Sequence, residues 1–167
     1  ARQARGLTVI IDVFRAFSVE CYALDKGAKS IFPVGDIQTA YRMREEHPGY
    51  LLIGERGGVR CEGFDGGNSP SELLKLDLQG KTLVHTTSAG TQGLVNARGA
   101  DEILTGSLVN ADAIARYILA RRPEEVSLVC MGWEGRTETE EDTLCARYIQ
   151  ARLHGANPDI RNEIDQL

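Results

Sequence analysis

The amino-acid sequence predicts an α/β protein with three layers, α/β/α, around a mostly parallel sheet. Short runs rich in β-branched residues alternate with stretches of helical periodicity along the chain of 167 residues. Most predicted strands are apolar throughout, which is typical of strands buried on both faces of a parallel sheet. A chain of this length is about one domain, so we expect residues 1–167 to form a single α/β domain.

The first half of the chain contains three predicted strands, at Leu7–Val13, Lys29–Val34 and Tyr50–Gly54. A largely apolar helical stretch follows the first strand as far as Gly27, and Asp36 is placed to cap a helix that ends at Glu46. A long loop then runs to Pro70, followed by a short helical turn at Ser71–Leu74. This half therefore supplies three strands and three helical segments.

The second half continues the alternation. Its strands are predicted at Lys81–Thr87, Glu102–Gly106 and Val126–Met131. Helices are predicted over Thr91–Arg98, after a cap at Asn110, and over Glu140–His154. The helix after Asn110 has apolar residues spaced i, i+3, i+4, i+7 and i+8, which indicates one buried face.

The composition excludes several classes of protein. Hydrophobic residues make up 42% and charged residues 26% of the chain, close to the globular average and unlike a disordered chain or a coiled coil. The net charge of −5 argues against a nucleic-acid partner, and no apolar run approaches the ~18 residues that a membrane span needs. Four cysteines without a CxxC pair favour free thiols, so we expect a cytoplasmic protein.

Polar or glycine-rich residues follow nearly every predicted strand. In an open α/β sheet, ligands bind beyond the carboxyl ends of the strands, so these segments are expected to form one polar site. The segments are Asp12–Arg15, Glu55–Gly58, Thr86–Thr91, Ser107–Asn110 and Gly132–Arg136.

Asp12 interrupts the first predicted strand near its end. An uncompensated carboxylate there is costly, so Asp12 either caps the following helix or acts as a metal ligand or nucleophile. Phosphatases that form an aspartyl-phosphate carry a second aspartate two residues further on, where this chain has Phe14. The sequence therefore disfavours that class of phosphatase.

The loop between Gly54 and Pro70 is rich in glycine, with six glycines within fourteen residues. Glycines let backbone N–H groups approach an anion, and Arg56 is suited to bind phosphate, carboxylate or sulfonate through paired hydrogen bonds. Asp65 and Asn68 supply oxygen atoms of the kind that Mg²⁺ takes. The alternative is a surface Ω-loop in which both residues make Asx-turns.

Two further junctions between a strand and a helix have phosphate-binding character. Thr86–Thr91 resembles a phosphate cradle at a helix N-terminus, although it lacks the lysine of a nucleotide P-loop. Residues 130–137 fit the C-x5-R-[ST] pattern of a cysteine phosphatase, with Cys130 as nucleophile and Arg136 as phosphate ligand. Glu134 would place a carboxylate in that phosphate loop, so a buried structural cysteine is the favoured interpretation.

Acidic residues are concentrated where the last long helix begins. Thr139 and Asp142 have the spacing of a capping box, which would explain Asp142 without a ligand. The run from Glu138 to Asp142 also brings carboxylates to the same sheet edge as Asp12. Several acids at one edge favour a divalent cation there.

Seven short motifs follow one another along residues 12–146. They are Asp-Val-x-Arg-Ala at 12–16, Gly-Glu-Arg-Gly-Gly at 54–58, Gly-Phe-Asp-x-Gly-Asn-Ser-Pro at 63–70, Thr-Thr-x-x-Gly-Thr at 86–91, Gly-Ser-x-x-Asn at 106–110, Cys-x-Gly-x-Glu-Gly at 130–135 and Glu-Asp-x-x-x-Ala at 141–146. Each motif alone is weakly specific. Together they resemble the 2-phosphosulfolactate phosphatase family.

The resemblance implies a Mg²⁺-dependent phosphatase that converts 2-phosphosulfolactate to 3-sulfolactate and phosphate, a step of coenzyme M biosynthesis in some archaea. It implies a small anionic phosphorylated substrate and leaves a homodimer open. The net charge and the lack of a long apolar run lead us to expect no nucleic-acid or membrane partner. Members of the family extend further at both ends, so the chain is expected to lack terminal segments. Phe14 and Phe17 stand where leucine and threonine are expected.

The strand ends and the resemblance together give the candidate site residues. Asp12, Glu55 and Asp65 are expected to be catalytic, and Asp12, Glu55 and Asp142 to bind Mg²⁺. The expected substrate-binding residues are Arg15, Arg56, Asn68, Thr86, Thr87, Gly90, Thr91, Ser107 and Asn110. Two alternatives stay open: a phosphatase that uses Cys130 as nucleophile with Arg136, and a non-catalytic module that binds a small anionic metabolite.

Overall fold

The computed structural model describes residues 1–167, in which seven strands and seven helices alternate along most of the chain. The strands are β1 (Gly6–Ile11), β2 (Ser30–Pro33), β3 (Leu51–Arg56), β4 (Val59–Arg60), β5 (Thr82–Thr86), β6 (Ala100–Gly106) and β7 (Val126–Cys130). The helices are α1 (Ala16–Asp25), α2 (Ile37–Glu46), α3 (Pro70–Leu73), α4 (Gly90–Asn96), α5 (Ala111–Arg121), α6 (Glu140–Leu153) and α7 (Arg161–Ile164). None of the helices has the length and apolar character that crossing a membrane requires.

The seven strands form two sheets that are parallel except at one edge. β1 lies between β6 and β7 in the first sheet, and the second sheet has the order β2-β5-β3-β4, in which only the β3–β4 pair is antiparallel. The predicted α/β fold is confirmed, with its strands divided between two sheets. Neighbouring parallel strands end together, since Ile11 pairs with Gly106 and Cys130, and Gly54 pairs with Thr86.

Helices cover both faces of each sheet because successive strand residues point to opposite faces. In the first sheet, Ile11 packs with α5 and α6, whereas Ile10 packs on the other face with Phe17 of α1. In the second sheet, Ile53 packs with α1 and α3, whereas Leu52 packs on the other face with α2. Helix α1 therefore lies between the two sheets and contributes to both cores.

The helix caps agree with the sequence in part. Asp36 caps α2 as predicted, with its carboxylate accepting hydrogen bonds from two backbone N–H groups of the first turn. Asn110 and Thr139 occupy the cap positions of α5 and α6, but neither side chain caps its helix. The capping-box interpretation is therefore wrong, because Asp142 bonds to backbone outside its helix. The loop predicted after the third strand contains the short strand β4.

Gly54 allows β3 and β5 to approach closely next to the strand ends. Its φ is 136°, and a Cβ atom there would lie 1.9 Å from the backbone oxygen of Thr86. Only glycine accepts both this backbone conformation and this contact. The close approach sets Glu55 beside the segment that follows β5.

Candidate active site

A pocket opens at the carboxyl ends of strands from both sheets, with a cavity volume of about 360 Å³. Its lining residues are Asp12, Phe14 and Arg15 after β1, Glu55, Gly57 and Gly58 at the β3–β4 turn, Asn68 in the following loop, Ser88 and Ala89 after β5, and Gly132, Trp133 and Glu134 after β7. Three of these residues are acidic, and Arg15 is the one basic residue among them. Four of the five predicted strand-end segments thus contribute to the pocket.

Asp12 is a buried carboxylate that nevertheless lines this pocket, with 6% of the residue exposed. Burial raises its pKa to about 6, with a smaller contribution from the carboxylate of Asp142, and the N–H groups of Ala16 and Gly90 oppose the shift. The Ala16 N–H donates to Oδ1 at 3.0 Å. A carboxylate in this state is suited to hold a proton or to face a bound cation at neutral pH.

Glu55 holds a fixed orientation through three hydrogen bonds. Its Oε1 accepts from the N–H of Ser88 at 2.6 Å, and its Oε2 accepts from the N–H of Gly58 at 2.6 Å and from the Ser88 hydroxyl at 3.1 Å. These bonds join the β3–β4 turn to the segment after β5, and both segments line the pocket. Glu55 therefore places a second carboxylate in the same pocket as Asp12.

Asp142 lies behind the pocket lining rather than in it. It is 2% exposed, and its two oxygens accept from the backbone N–H groups of Val13 and Gly132, each at 2.8 Å. Burial raises its pKa, and the two N–H groups oppose that shift. Asp142 thus ties the segment after β1 to the segment after β7.

The structure does not bring Asp65 to the pocket. Its carboxylate pairs with Arg44 and accepts a hydrogen bond from the N–H of Leu52 at 2.8 Å. Because both partners belong to α2 and β3, Asp65 fixes the path of the glycine-rich loop against those elements.

Arg56 is also absent from the pocket lining. Its guanidinium donates to the Thr86 hydroxyl at 2.6 Å and to the backbone oxygens of Gly35 and Glu55 at 3.0 and 2.7 Å. Three acceptors of the protein itself therefore engage three of the five N–H donors of this guanidinium. Arg56 instead joins the end of β3 to β5.

The other predicted substrate-binding residues outside the pocket lining are Thr86, Thr87, Gly90, Thr91, Ser107 and Asn110. The hydroxyls of Thr87 and Thr91 each accept from the other residue's backbone N–H, and the Asn110 side chain accepts from the N–H of Ser107 at 2.9 Å. These bonds shape the turns after β5 and β6. Gly90 lies against the site, since a Cβ atom there would be 2.8 Å from an oxygen of Asp12.

The geometry gives no support to a cysteine nucleophile. The thiol of Cys130 donates to the backbone oxygen of Asp142 at 3.4 Å, and neither Cys130 nor Arg136 lines the pocket. Burial raises the pKa of the thiol to about 11, and the carboxylates of Asp142 and Glu138 add to the shift. The reactive thiolate is therefore strongly disfavoured.

The pocket offers a divalent cation two carboxylate ligands rather than a complete set of protein ligands. No group of three or more His, Cys, Asp or Glu side chains has the arrangement of a metal site. Asp12 and Glu55 both line the pocket, and Mg²⁺ is typically held by one or two carboxylates together with waters and substrate phosphates. These two residues fit such a site, whereas Asp65 and Asp142 do not reach it.

The sequence motifs did not single out several residues of the pocket. Phe14 and Trp133 are 59% and 65% exposed although both are large and apolar. Exposed apolar side chains often mark binding sites, but their exposure cannot be read from the sequence. Glu134 is a motif position, and its φ of 51°, which is uncommon for a residue other than glycine and is found at functional sites, is a feature that the sequence does not show. Glu20 and His85 are buried, and His85 lies next to Asn68. In the sequence, each could have been noticed as a polar residue inside an apolar helix or strand.

The fold and the pocket define an α/β protein with an acidic site at the carboxyl ends of its strands. The family model described as 2-phosphosulpholactate phosphatase matches residues 1–166. The chain belongs to this family, and the resemblance expected from the seven motifs is confirmed.

Curated relatives agree with this assignment. The chain is 43% identical to the probable 2-phosphosulfolactate phosphatase of Caldicellulosiruptor saccharolyticus over 156 residues, which cover 91% of this chain and 64% of that protein. It is 41% identical to the probable 2-phosphosulfolactate phosphatase of Thermotoga petrophila over 145 residues, which cover 87% of this chain and 61% of that protein. The chain thus spans less than two thirds of the length of these relatives.

Proposed function

We propose that the protein is a Mg²⁺-dependent phosphatase that hydrolyses the phosphate ester of a 2-hydroxy acid. The proposed substrate is 2-phosphosulfolactate, and the products are 3-sulfolactate and phosphate. Membership of the family and the names of its relatives support this substrate. The observation that carries the proposal is the pocket in which Asp12, Glu55 and Arg15 meet at strand ends of both sheets.

Arg15 is the residue that we expect to bind an anionic group of the substrate. It is exposed, and it is the one basic side chain in the pocket lining. A guanidinium matches the oxygens of phosphate, sulfonate and carboxylate through paired hydrogen bonds. Asp12 and Glu55 would hold Mg²⁺, which when bound neutralises charge on the phosphoryl oxygens and polarises them.

Asp12 and Glu55 have different chemical roles because their surroundings differ. In the metal-free protein the pKa of Asp12 is about 6, and Mg²⁺ beside it would hold the carboxylate in the ionised form, the form that acts as a general base. Asp12 can therefore accept a proton from the attacking water. Glu55 has both oxygens engaged by Ser88 and Gly58, so it maintains the geometry of the pocket.

The free cysteines support a reducing, cytoplasmic location for this activity. All four cysteines are unpaired thiols. The coenzyme M route is the pathway that the family resemblance implies. A homodimer stays a prediction.

A phosphate-release assay over a panel of phosphorylated 2-hydroxy acids, with Mg²⁺ or with EDTA, tests the proposal. We expect release from 2-phosphosulfolactate in Mg²⁺ and none in EDTA. Activity that persists in EDTA would favour the cysteine nucleophile. Binding of these esters without release of phosphate from any of them would favour a non-catalytic module.

A further inference from the structure

Three buried polar side chains form a row that ends at the pocket. Glu20 lies on α1, His85 on β5, and Asn68 in the loop that lines the pocket. The Oε1 atom of Glu20 is 2.8 Å from Nδ1 of His85, and Nε2 of His85 is 3.3 Å from Oδ1 of Asn68. His85 is completely buried and the other two residues are nearly so, so each depends on its neighbour for hydrogen bonds.

The partners of His85 determine where its protons lie. An ionised carboxylate only accepts hydrogen bonds, so Nδ1, which faces Glu20, carries a proton. The Oδ1 atom of Asn68 is also only an acceptor, so a hydrogen bond between it and Nε2 requires a second proton on Nε2. This arrangement is therefore fully hydrogen-bonded only when both ring nitrogens of His85 carry a proton, with the Glu20 carboxylate next to that charge.

The same arrangement directs the amide nitrogen of Asn68 to the pocket. Nδ2 donates to no group of the protein, and the buried polar atoms that lack a partner are Nε of Arg44 and Oγ1 of Thr139 alone. Nδ2 is thus open to solvent, and the pocket is the space that Asn68 lines. The amide offers two N–H donors there.

We propose that Glu20 and His85 are positioning residues that orient the Asn68 amide, so that its nitrogen donates hydrogen bonds to an oxyanion of the phosphorylated substrate. This role rests on the proposed phosphatase function. Phosphate, sulfonate and carboxylate oxygens all accept such bonds, and an adjacent positive charge strengthens the donor. The opposite arrangement, a neutral His85 that accepts from the amide, would turn the Asn68 oxygen toward the pocket.

The first test uses the wild-type protein in EDTA and requires no turnover, so it is independent of the proposed activity. One-bond ¹⁵N–¹H couplings show which ring nitrogens of a buried histidine are protonated, and the His85→Gln variant assigns the signals. We expect protons on both nitrogens of His85. A proton on Nδ1 alone would overturn the proposal. His47 and His154 are exposed and serve as internal references.

The second test measures the affinity for inorganic phosphate in EDTA by calorimetry. Glu20→Gln and Asn68→Ala are each expected to weaken phosphate binding by about tenfold, the lower end for a lost bond to a charged group. The double variant is expected to bind no more weakly than either single variant, because both changes remove the same donor. Asn162→Ala, an exposed amide on α7, is the matched control.

The direction of the Glu20→Gln effect distinguishes positioning from charge. Loss of the Glu20 charge alone would strengthen anion binding, and loss of the His85 proton together with it would leave the net charge unchanged, so weaker binding points to the orientation of Asn68. Unchanged phosphate affinity in folded Glu20→Gln, or a double variant weakened by the product of the two single effects, would overturn the proposal. Melting curves establish that each variant is folded. If Glu20→Gln does not fold, the ¹⁵N–¹H couplings of His85 in the wild-type protein still test the proposal.

Discussion

Asp12 is a carboxylic acid whose burial disfavours its charged form. Burial raises its pKa from 3.8 to about 6, so the folded protein binds this proton more tightly than the unfolded chain. The resulting stabilisation is complete below the unfolded pKa and is lost as the pH rises through the folded pKa. Relative to Asp12→Asn, the metal-free protein is predicted to lose about 2 kcal/mol of unfolding free energy between about pH 4 and about pH 7.

Urea denaturation of both proteins in EDTA, across this pH range, measures the difference. The Asp12→Asn variant removes this one titration and leaves the other carboxylates in place. We expect Mg²⁺ to reduce the pH dependence, since a bound cation favours the ionised carboxylate. A difference that does not change with pH would contradict the raised pKa of Asp12.

Cys130 is predicted to be dispensable for catalysis. With a pKa of about 11, its thiol is almost entirely protonated at neutral pH, and its partner is the backbone oxygen of Asp142. A serine hydroxyl can donate to the same oxygen, so Cys130→Ser should retain most of kcat/KM. A loss of about 10⁴-fold in a variant with a normal melting curve would identify Cys130 as the nucleophile.

At the scale of the elements, helix α6 secures two strand ends through Asp142. Replacing one of its oxygens with an amide nitrogen sets a donor against a backbone N–H of Val13 or Gly132. We predict that Asp142→Asn lowers the unfolding free energy by about 2 kcal/mol, the cost of a buried unsatisfied group. Glu141→Gln changes the neighbouring acid of the same helix and is the control. Equal stability of the two variants by urea denaturation would show that these bonds contribute nothing.

Strands β3 and β5 are joined by Arg56, whose three hydrogen bonds link their ends to each other and to Gly35. Arg56→Ala is predicted to lower the unfolding free energy by about 2–3 kcal/mol. It should reduce kcat/KM by the same factor for phosphate esters with and without a sulfonate. Arg60→Ala, an exposed arginine on β4, is the control. Normal stability with a loss confined to sulfonated substrates would instead assign Arg56 to substrate binding.

In the molecule as a whole, the positions of helices and strands follow from local sequence, whereas the pairing of the strands does not. The alternation of strands and helices follows from apolar spacing within each element, and nearly every element is where that spacing predicts it. The division into two sheets depends on which strands pair and on the packing of α1 between them. These are long-range properties, so no single segment encodes them.

The location of the site could be predicted from the sequence, but the set of side chains that line it could not. The motifs locate the strand ends, but they do not show which side chains turn inward to satisfy buried backbone groups. Arg56, Asp65 and Asp142 do so, and their partners lie in other elements. Glu20 and His85 carry no motif, because His85 is 65 residues from Glu20 and 17 from Asn68 in the chain.

If the pocket between the sheets is the catalytic site, Asp12 is essential, and Asp65, the motif aspartate held by Arg44, is not. The most direct measurement is kcat/KM for 2-phosphosulfolactate in Mg²⁺, for folded Asp12→Asn and Asp65→Asn variants side by side. Asp12→Asn should lose about 10²–10⁴-fold, as expected when a group that transfers a proton is removed, and Asp65→Asn should stay within about tenfold of wild type. An active Asp12→Asn beside an inactive but folded Asp65→Asn would contradict this placement of the site.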